Sequence, residues 1–167
     1  MPDARLPILV AAYGNDMAAD DSFGPRVAEA VLAMALSGVE VVNLGMKPAS
    51  LLDHLADRCA LCVVDAARCD GAPAGTLIDV DFFAADRPPL VHDIALSTHG
   101  LSLADELELA QRLGICPGIV RLVAVVAGSV DVGASVGDEV LRQVPTAANR
   151  IANWVSNFHE NNAEGRP

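Results

Sequence analysis

Apolar runs and helix-period stripes alternate along this chain. Residues 6–13 (LPILVAAY) form a short continuous apolar run, as a strand covered on both faces requires, and Gly14 ends it. Phe23, Val27, Val31 and Met34 then recur at helical spacing, with Pro25 permitted in a first turn. Residues 39–44 (VEVVNL) predict a second strand, residues 49–57 a helix, and residues 60–66 (ALCVVDA) a third strand. Residues 75–83 (GTLIDVDF and its neighbour) alternate apolar and polar positions, the pattern of a more exposed strand. Pro88-Pro89 marks an irregular loop. A helix is predicted over about 101–113, stopped by Gly114. Residues 118–128 (GIVRLVAVVAG) read as another buried strand. A last helix over about 137–158 carries Val140, Val144, Ala147, Ile151 and Val155, and residues 159–167 predict a frayed polar tail.

Strands alternating with helices predict a three-layer α/β fold: a twisted, mostly parallel sheet of about five strands with helices on both faces. The 167 residues show no internal repeat or linker and read as one domain, residues 1–167. In such sheets ligands sit at the carboxyl ends of the strands, so polar residues placed there are the ones to weigh.

Composition narrows the partners. Hydrophobic residues make up 52% and charged residues 20%, which excludes a disordered chain. Eleven Lys and Arg against 22 Asp and Glu give a net charge of −11, a sign that disfavours nucleic acid and anionic membrane surfaces. No apolar run approaches the ~18 residues of a membrane span. The opening MPDARLPILVAAYG lacks the basic and long apolar regions of a secretory signal, so a cytosolic (cytoplasmic) protein is predicted. Cys59 and Cys62 have CxxC spacing, but the pair runs into an apolar strand with no second CxxC and no nearby His. Together with Cys69 and Cys116 they are predicted to be buried free thiols rather than a zinc site.

Three segments bring polar groups to the predicted sheet edge. The first strand leads into Gly14-Asn15 and an acidic run, Asp16, Asp20 and Asp21; the third ends in Val64-Asp65-Ala66; and Ser97-Thr98-His99 precedes a helix. Each residue has an ordinary structural use. Asp21 or Ser22 can cap the following helix. Asp65 can cap a turn or pair with Arg68, His99 can bond a helix start, and Asn15 can form a turn or orient a peptide carbonyl. Taken together, two carboxylates and an imidazole at one edge make a donor set for a first-row divalent ion such as zinc or nickel. Close, unpaired carboxylates repel, and a cation removes that conflict. Dinucleotide and Walker A patterns are absent from the sequence.

The ordered set formed by GN (14–15), DDSFGPRVAEAV (20–31), VVDA (63–66), STHGLSLADEL (97–107) and the segment 133–155 resembles the hydrogenase maturation endopeptidases. These proteases trim the large subunit of nickel-iron hydrogenases. The resemblance implies a phosphorylase/hydrolase-like fold, and one cut that removes the C-terminal extension of the large-subunit precursor after nickel insertion. It implies metal and catalytic roles for Asp21, Asp65 and His99, with Asp20 as a possible contributor, and nickel supplied by the substrate. The chain departs from the family pattern at Ala12, at Asn43–Met46 where Asp-Gly-Gly-Thr is characteristic, and at Gly100. The second departure bears on which hydrogenase is the partner. A non-proteolytic nickel-binding maturation chaperone of the same fold is the alternative. An α/β nucleotide binder is disfavoured by the missing phosphate loop.

Overall fold

In the computed structural model, which describes residues 6–47, 50–69, 71–85 and 102–164, the strands are β1 (Ile8–Tyr13), β2 (Val39–Gly45), β3 (Ala60–Ala67), β4 (Leu77–Asp81) and β5 (Ile119–Val126). They form one sheet in the order β2-β1-β3-β5-β4. The pairs β1/β2, β1/β3 and β3/β5 are parallel, and only the edge strand β4 runs antiparallel, against β5. The central strands lack the usual apolar–polar alternation because both of their faces are covered. Successive β1 side chains show this directly. Leu9, Ala11 and Tyr13 join one core with Leu51, Leu55, Leu103, Leu107 and Ala110, while Ile8, Val10 and Ala12 join a second with Phe23, Val27, Val31, Ala147 and Ile151.

The helices divide accordingly. α1 (Phe23–Ala33), α4 (Asp138–Leu141) and α5 (Gln143–Glu164) cover one face, and α2 (Leu52–Leu55) and α3 (Leu103–Arg112) the other. The predicted three-layer fold is therefore the observed one. Three local features differ. The predicted helix over 49–57 is a single turn, closed by the extended Ala56 and by Asp57 at φ +64°. The last predicted helix breaks at Arg142, because Pro145 cannot donate a backbone hydrogen bond and its ring would crowd the carbonyl of Leu141. That helix then runs past Phe158 to Glu164. Its polar residues need no burial to stay helical, and His159 Nε2 lies 2.9 Å from Ser37 O.

None of the four cysteines is in a disulfide among the described residues, and only Cys62 is buried. Cys59 lies just before β3 and is exposed, which corrects the expectation of four buried thiols. The antiparallel edge is held by Asp79 of β4, whose carboxylate accepts from Arg121 Nε at 2.6 Å and Arg150 Nη1 at 3.2 Å, tying β4 to β5 and to α5. At the amino end of the sheet Arg58 donates to Leu6 O, His54 O and Glu40.

Strand order creates a crevice. The chain leaves β1 for β2 on one side and leaves β3 for β4 and β5 on the other, so the carboxyl ends of β1 and β3 open into a topological switch point.

Candidate active site

Two glycines deliver the acidic run to that crevice. A Cβ on Gly24 would lie 2.0 Å from Tyr13 O and 3.1 Å from Val64 O, so the first turn of α1 rests on the ends of β1 and β3. A Cβ on Gly14, whose φ is +131°, would lie 2.0 Å from Asp21 O. Between them runs a 3-10 turn, Ala19–Ser22, entered through Ala19 at φ +40°, a left-handed conformation unusual for a residue with a Cβ. Ser22 occupies the N-cap position of α1 without making a side-chain cap bond; its hydroxyl donates to Ala19 O and accepts from Arg26 Nε. The capping use is thus not the one these residues take.

Asp20 and Asp21 point to different tasks. Asp20 is 2% exposed, and its carboxylate accepts from Gly128 N (2.7 Å), Ser129 N (3.1 Å) and Gly137 N (2.8 Å). Its own N–H donates to Ser129 O. Asp20 therefore pins the loop between β5 and α4 and has its oxygens committed to backbone. Asp21 turns the other way. One oxygen accepts from Asn15 N at 2.9 Å, and the other makes no hydrogen bond among the described residues. Asn15 Oδ1 accepts from Met17 N, which is the turn-forming role.

Asp65 lies two residues before the end of β3 and is 4% exposed. Its Oδ1 accepts from Ala66 N at 2.8 Å. No ion pair joins it to Arg68 among the described residues. Burial pushes its pKa up to about 7; the Ala66 hydrogen bond opposes this, and the charge of Asp21 adds to it. Burial also raises Asp21, against the pull of the Asn15 hydrogen bond. The structure thus brings Asp21 and Asp65 within electrostatic reach of each other, each with a carboxylate oxygen that makes no hydrogen bond among the described residues. His99 lies outside the described residues, as do Ser97 and Thr98.

Among the described residues no group of three or more His, Cys, Asp or Glu side chains could hold a metal ion. The carboxylate pair nevertheless suits a divalent cation. Both groups are carboxylates whose charge is made costly by burial, and carboxylate oxygens are ligands for such ions.

Two further groups at this edge escaped the sequence pattern. Tyr13, the last residue of β1, donates its hydroxyl to Glu106, 3.2 Å from Oε1 and 3.3 Å from Oε2. Glu106 is 2% exposed on the inner face of α3, beside Leu103, Leu107 and Ala110. A carboxylate on the apolar stripe of a helix is the signal that would have revealed it.

The profile described as "Hydrogenase maturation protease" matches residues 25–154, a stretch that contains positions 65 and 99 and begins just after Asp21. The chain is 28% identical over 128 residues to the hydrogenase 2 maturation protease of Escherichia coli (strain K12), covering 75% of this chain and 76% of that one. It is similar in structure to the hydrogenase maturating endopeptidase HybD from E. coli, with TM-score 0.76 and 25% identity, covering 90% of this chain and 93% of that one. It shares the fold of a [NiFe] hydrogenase maturation protease from Thermococcus kodakarensis KOD1, with TM-score 0.69 and 24% identity over 92% and 95% of the two chains. By this match and its fold, the chain belongs to the hydrogenase maturation protease family.

Proposed function

We propose that this endopeptidase removes the C-terminal extension of a nickel-iron hydrogenase large-subunit precursor after nickel insertion, with the cytosol as its compartment. Asp21, Asp65 and His99 bind the nickel carried by the precursor and set the scissile peptide beside it. The observation that carries this reading is the Asp21–Asp65 pair at the switch point, both with raised pKa values and each with an oxygen that makes no hydrogen bond among the described residues.

The chemistry follows from the same pair. Bound nickel supplies Lewis acidity toward the peptide carbonyl. Asp65 acts as the general base toward the attacking water. The water oxygen bonds to the carbonyl carbon as its proton passes to Asp65, and the C–N bond breaks as Asp65 gives that proton to the leaving nitrogen. Such carboxylate-assisted hydrolysis places the enzyme with aspartic-type peptidases, made conditional on the substrate's metal. Asp21 anchors the ligand side of the site through its grip on Asn15 N–H. Neutral His99 provides the third donor, so binding weakens as His99 becomes protonated.

Mass spectrometry of purified precursor incubated with the protein tests this reading. Loss of a single C-terminal fragment is the expected result. An intact precursor held in a stable complex would instead establish the chaperone, and an intact precursor without a complex would remove both.

A further inference from the structure

Tyr13 is held from two directions at the end of β1. Its carbonyl lies against Gly24 at the start of α1, and its hydroxyl reaches across the other face of the sheet to both carboxylate oxygens of Glu106. Burial, then the charges of Glu106 and Asp65, push the phenol pKa upward, so Tyr13 remains a donor at any physiological pH. Two residues further on, Asn15 gives its N–H to Asp21 Oδ2. A short covalent path therefore joins the Tyr13–Glu106 bond to the backbone that grips Asp21. α3 itself begins at a capping box, in which Ser102 and Asp105 satisfy each other's backbone N–H, so the helix presenting Glu106 has a fixed start.

Beside Glu106, Leu103, Leu107 and Ala110 join the apolar core that Leu9, Ala11 and Tyr13 share. Apolar packing is non-directional and lets a helix settle at several offsets along a strand. A hydrogen bond from a stiff aromatic side chain to a buried carboxylate selects one of them.

We propose that Tyr13 and Glu106 are positioning residues for the active site, their hydrogen bond fixing the carboxyl end of β1 so that Asn15 holds Asp21 in line with Asp65. The proposal rests on the assignment of Asp21 and Asp65 to the site. It predicts that losing the bond loosens Asp21 selectively, and that an uncharged acceptor at position 106 preserves it.

The experiment compares wild type, Tyr13→Phe, Glu106→Gln and Asp65→Asn. Amide hydrogen exchange is followed at Asn15 and at Val63, a core reference in β3, and precursor cleavage is followed as kcat and KM. In Tyr13→Phe the Asn15 amide should exchange about tenfold faster with Val63 unchanged, and kcat should fall about tenfold with KM held. Glu106→Gln, which keeps an acceptor for the phenol, should stay within about twofold of wild type on every readout. Unchanged Asn15 exchange in Tyr13→Phe, or an equal rise at Asn15 and Val63, would overturn the positioning role and leave a purely structural one. A large kcat loss in Glu106→Gln would overturn it too, by making the charge and not the bond the active feature. Failure of the underlying site assignment has a different signature: Asp65→Asn would cleave the precursor like wild type, whatever Asn15 does.

Discussion

Replacing Asp20 by alanine separates two adjacent carboxylates that the structure gives different work. Asp20 accepts three backbone N–H bonds, at 2.7, 3.1 and 2.8 Å, from residues more than a hundred positions downstream. Hydrogen bonds to a charged acceptor are worth roughly 1.5–3 kcal/mol each when their donors are shielded from water. Gly128 is exposed and Ser129 and Gly137 are half-buried, so water takes over part of that interaction once the carboxylate is gone. Asp20→Ala should then cost about 3 kcal/mol. Asp20→Asn should cost nearly as much, because its amide NH2 would face N–H donors. Urea unfolding with an unchanged slope measures the loss. Amide exchange at Gly128, Ser129 and Gly137 localises it. Asp21→Ala, which removes one backbone partner and relieves Asp65 of a repulsive neighbour, should change stability by less than about 1 kcal/mol. A cost below about 1 kcal/mol for Asp20→Ala, with those three amides as protected as before, would refute the division of labour.

Two other outcomes follow from the same geometry. Asp65 has its pKa raised from 3.8 to about 7 in the fold, so between those values the folded chain binds more protons than the unfolded one and stability falls as pH rises. In metal-free protein, Asp65→Asn should therefore show a stability gain over wild type that is absent below pH 4 and grows to at most about 4 kcal/mol above pH 7; a gain confined to acid pH would reverse the sign and contradict the burial argument. Gly24→Ala places a methyl group 2.0 Å from Tyr13 O and 3.1 Å from Val64 O, so α1 must lift from the sheet edge. It should cost about 3 kcal/mol or more by thermal or urea unfolding and abolish cleavage, whereas a variant as stable as wild type would show that the close approach is not needed.

Much of this was legible in the chain because period and burial coincide. The continuous apolar runs at β1, β3 and β5 could be nothing but strands covered on both faces, and the stripe from Phe23 to Val31 fixed α1. Asp65 stood out as a charge ending such a run. What pattern could not do was assign roles within the acidic run. Asp20 and Asp21 are adjacent in sequence, and only the folded loop carrying Gly128 and Gly137 shows that one is committed to backbone and the other is not. The break at Arg142 was readable from Pro145, once its clash with the preceding turn is considered. Glu106 was hidden for a different reason: in a sequence of net charge −11 an acidic residue on a helix draws no attention, and its partner Tyr13 lies 93 residues away. The metal-binding assignment of His99 comes from the sequence and the family pattern, since that position lies outside the described residues.

The most direct test of the central claim is the processing rate of nickel-loaded and nickel-free large-subunit precursor by wild type, Asp21→Asn and Asp65→Asn, with folding of each variant checked by circular dichroism. The account predicts cutting of the loaded precursor alone, and rates at least about 100-fold lower in both variants while they remain folded. Equal processing of loaded and nickel-free precursor, or a folded Asp65→Asn that cuts at the wild-type rate, would contradict it.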